Sequence, residues 1–390
     1  MRIETIRIRN YRALRDVTIT NLPPMSVFVG ANGSGKSTLF DVFAFLRDSL
    51  THNVRWAIAR RGGYRELVSR DESDDIRIEL KFRDTDGPLV TYTLIIGLVD
   101  DLPVIEREVL KYRRGQYGQP WHFLDFERGA GKAVVNEDEY GKPDAEMQRE
   151  DQTLDSPDIL AIKGLGQFQR FRIVNEFRKL IENWHISDFH IADARPSQEA
   201  GLAEHLSTRG DNLPLVTQYL FDQHRSILDT ILKKMAERVP GIREVKPVAT
   251  EDGRLVLKFH DGSFRDPFIA RYVSDGTIKM FAYLVLLHDP QPHPVLCVEE
   301  PENQLHPRLM RELAEEFRDY AERGGQIFVS THSPDFLNGV KLEEVYWLRK
   351  RNGFTDVVRA DDDEQLRALV KDGDLPGELW KQGLFDGDHA

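Results

Sequence analysis

The sequence predicts an α/β fold to which an antiparallel β subdomain and a helical lobe are added. Three observations support this class. An apolar strand, a glycine-rich turn and a periodic helix follow one another near the N-terminus. Alternating segments fill residues 76–135, as in antiparallel strands joined by short turns. Helical periodicity dominates residues 165–238, after which strands and helices alternate again. We therefore expect three parts: residues 1–164, 165–240 and 241–390.

The N-terminal part begins with strands. Alternating isoleucines predict two strands around a turn at residues 10–14, and residues 25–29 predict a buried third strand. Apolar residues at helical spacing follow Lys36, so a helix is expected there. The polar, acidic segment 136–157 is expected to be a mobile loop. Later elements are expected as strands over 243–259, 295–298 and 326–330, with helices beginning at Gly276 and Pro307.

Charge and cysteine content restrict the class of protein. The 390 residues carry a formal net charge of -12, which argues against a surface that binds nucleic acid throughout but leaves room for local basic patches. The single cysteine, Cys297, excludes an internal disulfide, and its apolar neighbours predict a buried thiol in a reducing cytoplasm. The sequence has no apolar leader and no run of about 18 apolar residues, so secretion and a membrane location are not expected.

Residues 30–37, GANGSGKS, match the phosphate-binding pattern G-x-x-x-x-G-K-[ST] in full. Small residues let successive backbone N–H groups turn toward a phosphate, and the following helix presents its positive end. We expect Lys36 to reach the β and γ phosphates as a catalytic cation, and Ser37 to ligate Mg²⁺. The sequence has no N-K-x-D motif for guanine, so ATP is the expected nucleotide. The residues predicted to bind it are Gly30, Ala31, Asn32, Gly33, Ser34, Gly35, Lys36, Ser37 and Thr38.

Two carboxylates directly follow the apolar strand in VLCVEEPENQLHP, residues 295–307. Open α/β sheets bind ligands at the carboxyl ends of their strands. We therefore expect Glu299 to complete the Mg²⁺ shell, and Glu300 to orient and polarise the attacking water as a catalytic residue.

Two further segments indicate the same chemistry. The second apolar strand is followed by His332, a catalytic candidate that would donate to the γ-phosphate and sense its presence. Ser274, Asp275 and Gly276 stand at the start of an apolar helix, where free N–H groups make an anion site. A simple helix cap would use the same residues. Because the chain already has one phosphate loop, this second site is expected to bind the nucleotide of a partner chain.

In this order, the phosphate loop, the serine-glycine signature, the acidic strand end and the histidine resemble the ABC-type ATPases of the SMC, RecF and OLD group. The segments NYRALRDVTI and LPGELWKQGLFDG are similar to bacterial stand-alone AAA-21/AAA-15 ATPases. The resemblance implies a P-loop NTPase fold of the RecF or SMC-head type. It also implies a homodimer with two sandwiched ATP molecules, each between Lys36 of one chain and Ser274 and Gly276 of the other. Asn303 would lie where the subunits cross.

The resemblance implies roles for further residues and reveals two departures. A glutamine should complete the Mg²⁺ shell, and the candidates are Gln167 and its neighbour Gln169. Arg12 would approach the nucleotide or serve a plain surface role. The metal-binding acid is Glu299 where the family usually has aspartate, so hydrolysis could be slow. Asp275 adds a negative charge to the signature, which either points away from the phosphates or weakens dimer closure.

The leading hypothesis is an ATPase switch in which ATP closes the dimer and hydrolysis opens it, passing the motion to DNA or to a partner effector. The resemblance implies DNA maintenance or defence against phage. The segment after His332 is too short for an OLD-type nuclease domain, so a nuclease or toxin would be a separate protein. The alternatives are the nucleotide-binding subunit of a transporter and an ATP-dependent scaffold with negligible turnover.

Two groups of charged residues in this sequence have a plain interpretation beside the functional one. The run Asp361–Asp363 is expected to begin a helix and not to bind a metal. The local basic groups are interspersed with acidic residues, so a solvated surface is at least as well supported as contact with DNA. These basic residues are Arg55, Arg60, Arg61, Arg65, Arg70, Lys163, Arg170, Arg172, Arg178 and Lys179.

Overall fold

The computed structural model describes residues 1–72, 74–83, 87, 89–112, 120–139, 146–189 and 191–385. These residues form two compact units. The first unit joins Met1–Trp184 to Glu343–Asp362, and the second joins His185–Leu342 to the described residues from Asp363 onward. The chain thus leaves the first unit after Trp184 and returns to it for one short segment.

The elements up to Trp184 belong to the first unit. Its strands there are β1 (Arg2–Tyr11), β2 (Leu14–Ile19), β3 (Met25–Val29), β4 (Ile76–Arg83), β5 (Leu89–Val99), β6 (Leu102–Tyr112), β7 (Trp121–Glu127), β8 (Ala130–Val134) and β9 (Arg149–Thr153). Its helices are α1 (Lys36–Thr51), α2 (Val54–Ala59), α3 (Tyr64–Leu67), α4 (Ala161–Leu165) and α5 (Arg172–Glu182).

From His185 onward the elements belong to the second unit, except the hairpin β17–β18, which returns to the first. The strands are β10 (His185–Ser187), β11 (Gln198–Glu199), β12 (Ile242–Ala249), β13 (Arg254–Asp261), β14 (Phe268–Ile269), β15 (Val295–Glu299), β16 (Gln326–Thr331), β17 (Val345–Arg351) and β18 (Phe354–Arg359). The helices are α6 (Ile191–Ala194), α7 (Leu213–Gln223), α8 (Arg225–Arg238), α9 (Asp275–Leu287), α10 (Arg308–Glu322), α11 (Pro334–Leu337), α12 (Glu364–Lys371) and α13 (Pro376–Lys381).

An antiparallel sheet of eight strands, in the order β2-β1-β4-β5-β6-β7-β8-β9, dominates the first unit. Strand β4 shows how the sequence directs it: Ile76, Ile78, Leu80 and Phe82 are buried, and the residues between them are more exposed. The antiparallel β subdomain predicted over residues 76–135 is confirmed. It is larger than expected because the N-terminal hairpin β1–β2 pairs with β4 through β1.

The far edge of this sheet corrects one expectation. Strand β9 runs inside the segment 136–157 that the sequence analysis interprets as a mobile loop, and it pairs with β8, with Ala130 opposite Thr153. The side chains of β9, REDQT, are exposed or half-buried, so this edge strand carries no hydrophobic pattern. The loop prediction is therefore wrong for β9, while residues 140–145 of the segment lie outside the described residues.

Aromatic contacts fix the helices of the first unit to its sheet. Phe177 on α5 stacks on Phe82 with 4.4 Å between the ring centroids, and its ring lies 4.7 Å from that of Tyr92. Phe43 on α1 meets Trp184 edge to face at 5.2 Å. The buried strand β3 pairs in parallel with β17, which forms an antiparallel hairpin with β18. Helix α1, which follows the glycine-rich turn, contributes Leu39, Phe40, Phe43 and Leu46 to the core of this unit.

The second unit contains three parallel strands in the order β10-β15-β16. Strand β16 is buried throughout and β15 is buried up to its last residue, as expected for continuous apolar runs in a parallel sheet. Cys297 lies in β15 and its thiol is buried, as predicted. Strand β10 is missing from the sequence prediction because its three residues, HIS, are too few to show a period.

Around these strands the second unit is largely helical. Helix α9 is buried from Thr277 to Leu287, so it occupies the centre of the unit. Asp363 caps α12, since its carboxylate accepts hydrogen bonds from the N–H groups of Gln365 and Leu366 at 2.9 and 3.0 Å. The helix start predicted at Asp361–Asp363 is thereby confirmed.

The two units do not follow the three parts expected from the sequence. Helices α4 and α5 lie in the first unit, while α7 and α8 of the expected helical lobe lie in the second. The three-part division at residues 1–164, 165–240 and 241–390 stays a prediction. Among the described helices, none is both long and apolar enough to cross a membrane.

Candidate functional site

The glycine-rich turn between β3 and α1 has a backbone path that requires glycine. Gly33 and Gly35 have φ angles of 80° and 105°, in the region that side chains disfavour. At Gly30, a Cβ atom would lie 2.4 Å from the backbone oxygen of Leu348. The strand, loop and helix order predicted from the sequence is confirmed, and Ala31, Asn32, Gly33 and Ser37 are exposed.

Lys36 lies across this loop. Its ammonium donates hydrogen bonds to the carbonyl oxygens of Gly30 and Ala31 at 2.7 and 3.3 Å, and its side chain is buried. The start of α1 has no side-chain cap, so the helix presents its positive end to the loop. Ser34 is buried inside the loop, where its Oγ has no hydrogen-bond partner among the described residues. These donors fit an anion such as a phosphate group.

Arg12 is held by α1. Its guanidinium donates to Asp41 Oδ2 at 2.8 Å, the same oxygen that the hydroxyl of Tyr11 reaches at 2.8 Å. Arg61 donates to the other oxygen of Asp41 at 2.7 Å, and burial raises the pKa of the Tyr11 hydroxyl. Asp41 follows Ser37 by one helical turn. Of the two roles open for Arg12, the described contacts place it in a charged network at the side of α1.

Gln167 lies toward the other end of α1. Its Nε2 donates to the backbone oxygen of Lys163 at 3.3 Å, and the ammonium of Lys163 donates to the backbone oxygens of Thr51 and His52. Thr51 ends α1, about 20 Å along the helix from Ser37 at 1.5 Å per residue. Gln169 is exposed, as is Gln167. The structure therefore does not bring either glutamine to the phosphate loop.

The acidic strand end of the second unit is held in a tight loop. Glu299 ends β15 and is half-buried, and Glu300 follows with a φ of 42°. The N–H of Glu300 donates to the backbone oxygen of Ser330 at 2.9 Å. The amide of Asn303 donates to Glu300 Oε2 at 3.0 Å. The two acids thus leave the strand in a fixed geometry, and Asn303 is directly bonded to Glu300.

His332 lies beside these acids, and a third carboxylate holds it there. Glu302 Oε1 accepts hydrogen bonds from Thr331 Oγ1 at 2.8 Å and from the backbone N–H of His332 at 2.9 Å. Nδ1 of His332 lies 3.3 Å from Glu302 Oε1 and 3.5 Å from Glu300 Oε1. Sequence reasoning missed Glu302, although its place two residues after Glu300 was a usable signal. The structure thus brings His332 to the acidic loop through Glu302, and Asn303 joins the group through its hydrogen bond to Glu300.

Ser274 caps helix α9. Its Oγ accepts a hydrogen bond from the N–H of Thr277 at 3.3 Å and lies 2.7 Å from the hydroxyl of that residue. Asp275 forms an ion pair with Arg195, which also donates to the backbone oxygens of Arg271 and Val273 at 2.8 and 2.9 Å. The negative charge that departs from the family signature is therefore matched by a cation. Arg195 was not found from the sequence because it precedes Asp275 by 80 positions.

The start of α9 is joined to the acidic loop of the same chain. A Cβ atom on Gly276 would lie 3.0 Å from the backbone oxygen of Gln304. One turn later the ammonium of Lys279 donates to the backbone oxygen of Asn303 at 2.8 Å. Burial lowers the pKa of Lys279 to about 8, although the nearby carboxylates of Glu302, Asp188 and Glu300 oppose this shift. The helix start and the acidic loop are thus one packed feature.

Many of the basic residues considered for DNA contact have acidic partners within the chain. Arg61 is paired with Asp41 and Asp48, and Arg70 with Glu66. The pairs on the following segments are Arg170 with Glu150, Arg172 with Glu176, and Arg178 with Glu182. These pairs favour the interpretation as a solvated surface.

Comparisons with known proteins agree with this geometry. The sequence profile of the AAA_21 family, described as AAA domain, putative AbiEii toxin, Type IV TA system, matches residues 25–338. No curated protein matches the chain. The structure resembles an SMC head bound to the C-terminal winged-helix domain of ScpA, with a TM-score of 0.56, 14% identity, and 92% of this chain and 98% of the other covered.

A second solved structure supports the same fold. It is an SMC head domain with an extended coiled coil, bound to the C-terminal domain of ScpA derived from Pyrococcus furiosus. The TM-score is 0.50 at 12% identity, and the match covers 95% of this chain and 99% of the other. At such identities the likeness bears on the fold alone. It confirms the predicted fold class, an α/β P-loop NTPase of the SMC-head type with a large antiparallel sheet.

Proposed function

The chain belongs to the AAA_21 family and is an ABC-type P-loop ATPase of the SMC/RecF-like group, and on that premise we propose that it hydrolyses ATP with Mg²⁺ as a homodimer closed around two nucleotides. The observation that carries the proposal is the phosphate loop, where glycines with positive φ, a buried lysine and an uncapped helix start converge. An exchange of the Gly30 and Ala31 carbonyls for phosphate oxygens would satisfy the Lys36 ammonium with an anion. Gly30, Ala31, Asn32, Gly33, Ser34, Gly35 and Thr38 complete the proposed cradle.

The metal would be held by oxygen donors from both motifs. Ser37, exposed at the start of α1, and Glu299, at the end of β15, supply a hydroxyl and a carboxylate of the kind Mg²⁺ prefers. Bound Mg²⁺ would neutralise charge that develops on the phosphates. Gln167 stays in the proposal only as a residue that would have to move toward the phosphate loop, and the same holds for Gln169.

The remaining catalytic residues act on the water and the γ-phosphate. Glu300 would orient and polarise the attacking water, and its hydrogen bond from Asn303 keeps one oxygen in place. His332 would donate to the γ-phosphate, since its ring is held at the acidic loop and is half exposed. Arg12 would act on the nucleotide indirectly, by fixing α1 through Asp41.

The dimer would use the start of α9 in trans. Ser274 is exposed at the start of α9, where the free N–H groups of a helix N-terminus suit a phosphate group from the partner's nucleotide, and Gly276 adds no side chain there. The pairing of Asp275 with Arg195 removes the charge that would oppose closure. Asn303 is also exposed, as a residue at a subunit crossing needs to be.

A variant that binds ATP without hydrolysing it tests this proposal. Glu300→Gln keeps the shape of the side chain and is expected to double the mass measured by light scattering when ATP and Mg²⁺ are added. Glu300→Gln combined with Lys36→Ala should remain monomeric, because the phosphate grip is lost. Glu315→Gln, on an exposed face of α10, is the matched control and should hydrolyse ATP like the unaltered chain. A Glu300→Gln chain that binds ATP but stays monomeric would contradict the dimer and leave the ATP site standing.

We further propose that ATP-driven closure acts on a partner effector in the cytoplasm. The two SMC heads that the chain resembles are each bound to a domain of ScpA, which is a precedent for a protein partner on this fold. The paired arginines favour a protein such as a nuclease or toxin over direct contact with DNA. DNA maintenance and defence against phage are the proposed settings. Turnover that DNA accelerates severalfold would overturn this preference, and turnover near zero would favour a scaffold, as Glu299 in place of aspartate allows.

A further inference from the structure

Two histidines and an aspartate meet at the N-terminal end of β15, at the opposite end of this strand from Glu299. His205, Asp289 and His293 each offer one ligand atom, and these atoms all lie within 4.8 Å of one another. We propose that they form a binding site for a divalent transition metal, for which Zn²⁺ is the best match. This site is independent of the proposed ATPase function.

Each of the three side chains is held in place by its surroundings. The carboxylate of Asp289 accepts a hydrogen bond from the N–H of Gln291 at 2.8 Å, and the side chain is only 3% exposed. The backbone oxygen of His205 accepts from the amide of Asn212 at 2.9 Å, which fixes its loop. The ring of His293 stacks on His185 with 4.7 Å between the centroids. The ligands are therefore preorganised, as a metal site requires.

The donor set decides which metal suits the cluster. Two imidazole nitrogens and one carboxylate are a known set of three protein ligands for Zn²⁺, with water in the fourth position of the tetrahedron. Mg²⁺ prefers six oxygens in octahedral geometry, so the metal of the proposed ATP site would compete poorly here. The side chain of His205 is 41% exposed, which gives an ion a path from solvent to the buried carboxylate.

A short contact marks the position of the ion. Nδ1 of His205 lies 2.8 Å from Asp289 Oδ2, close enough to share a proton. A metal ion bound to Nδ1 would take the place of the proton in this contact, and the neutral ring would then carry its single proton on Nε2. The bound ion would then tie the loop after β11 to the segment that links α9 with β15. Without a metal, the same contact is a plain histidine-aspartate pair, and the experiment distinguishes the two.

Zinc binding to the purified, chelator-treated protein tests the proposal. We expect one Zn²⁺ per chain in competition with a chromophoric chelator, and an absorption band of tetrahedral type when Co²⁺ is used. His205→Ala removes an exposed ligand and is expected to weaken Zn²⁺ binding at least about tenfold. His52→Ala, an exposed histidine of the first unit, is the matched control and should bind Zn²⁺ normally.

Thermal unfolding supplies a second measurement that does not depend on enzymatic activity. Zn²⁺ should raise the melting temperature of the unaltered chain and of His52→Ala, but not of His205→Ala, because only a bound ion stabilises the folded state. If metal-free His205→Ala melts at the same temperature as the metal-free unaltered chain, the variant is folded. Zinc binding that His205→Ala and Asp289→Asn leave unchanged would be adventitious and would overturn the proposal, as would no binding at all.

Discussion

Removal of Glu302 is expected to release His332 from the acidic loop. One oxygen of this carboxylate accepts two hydrogen bonds, from Thr331 Oγ1 at 2.8 Å and from the N–H of His332 at 2.9 Å. The side chain is only 11% exposed, so water cannot fully replace it. Glu302→Ala therefore leaves two donors without their acceptor at the place where the γ-phosphate is proposed to be sensed.

The expected magnitudes follow from these two hydrogen bonds. A hydrogen bond to a charged group contributes about 1.5–3 kcal/mol, so loss of both should lower the free energy of unfolding of Glu302→Ala by about 3–6 kcal/mol. Glu302→Gln retains an oxygen in the same place and should lose about 1.5–3 kcal/mol, because neutral hydrogen bonds are about half as strong. ATP turnover should fall about a hundredfold in Glu302→Ala, as a displacement of about 1 Å of a catalytic group can cost that much.

Urea unfolding followed by circular dichroism, together with steady-state phosphate release, measures both effects. Glu315→Gln, an exposed glutamate on α10, controls for the loss of a negative charge from the same unit. If Glu302→Ala is folded and hydrolyses ATP at the rate of the unaltered chain, Glu302 does not position His332. If Glu302→Gln lowers stability and ATP turnover as much as Glu302→Ala does, the negative charge of Glu302 is required, and an oxygen acceptor in the same place is not enough.

Three further predictions concern the loop and two buried charges. Gly35→Ala should weaken ATP binding in calorimetry more than Gly33→Ala, because both φ angles are positive but only Gly35 would place a Cβ atom 2.2 Å from Thr355 Oγ1. Burial raises the pKa of Glu108 to about 7, so the free energy of unfolding should fall by about 3 kcal/mol from pH 4.5 to pH 7, and Glu108→Gln should flatten this slope. Lys279 has a pKa lowered to about 8, so stability should fall by about 3 kcal/mol as the pH drops from 10.5 to 8, and Lys279→Met should not show this loss. A pH profile that either substitution leaves unchanged would contradict the corresponding assignment.

The phosphate loop could be predicted from the sequence because its chemistry is local. The glycines, Lys36 and Ser37 are neighbours in the chain, and the flanking β3 and α1 each carry their own period. The acids at the end of β15 were also accessible, since an apolar run that ends in two carboxylates is typical of a buried strand that brings acids to the edge of a sheet. In both features the residues involved lie in one strand or helix and the turn next to it.

Contacts between residues that lie far apart in the chain could not be predicted from the sequence. Arg195 and Asp275 stand 80 positions apart, and nothing in either segment marks the other as its partner. The sequence leaves two roles open for Arg12 because its partner, Asp41, is a half-buried polar residue on a helix whose period is set by buried apolar residues. Strands β9 and β10 escaped prediction for a related reason, since backbone pairing with a neighbour and not side-chain pattern defines them.

The close approach of Gly276 to Gln304 has a mechanical consequence. Backbone approaches backbone at Gly276 and Gln304, and one turn later the Lys279 ammonium adds a hydrogen bond to the backbone oxygen of Asn303. Any displacement of the acidic loop must carry the front of α9 along as a stiff body. In the proposed homodimer, this coupling would convey the state of the nucleotide at one chain's acidic loop to the phosphate site at the start of its α9.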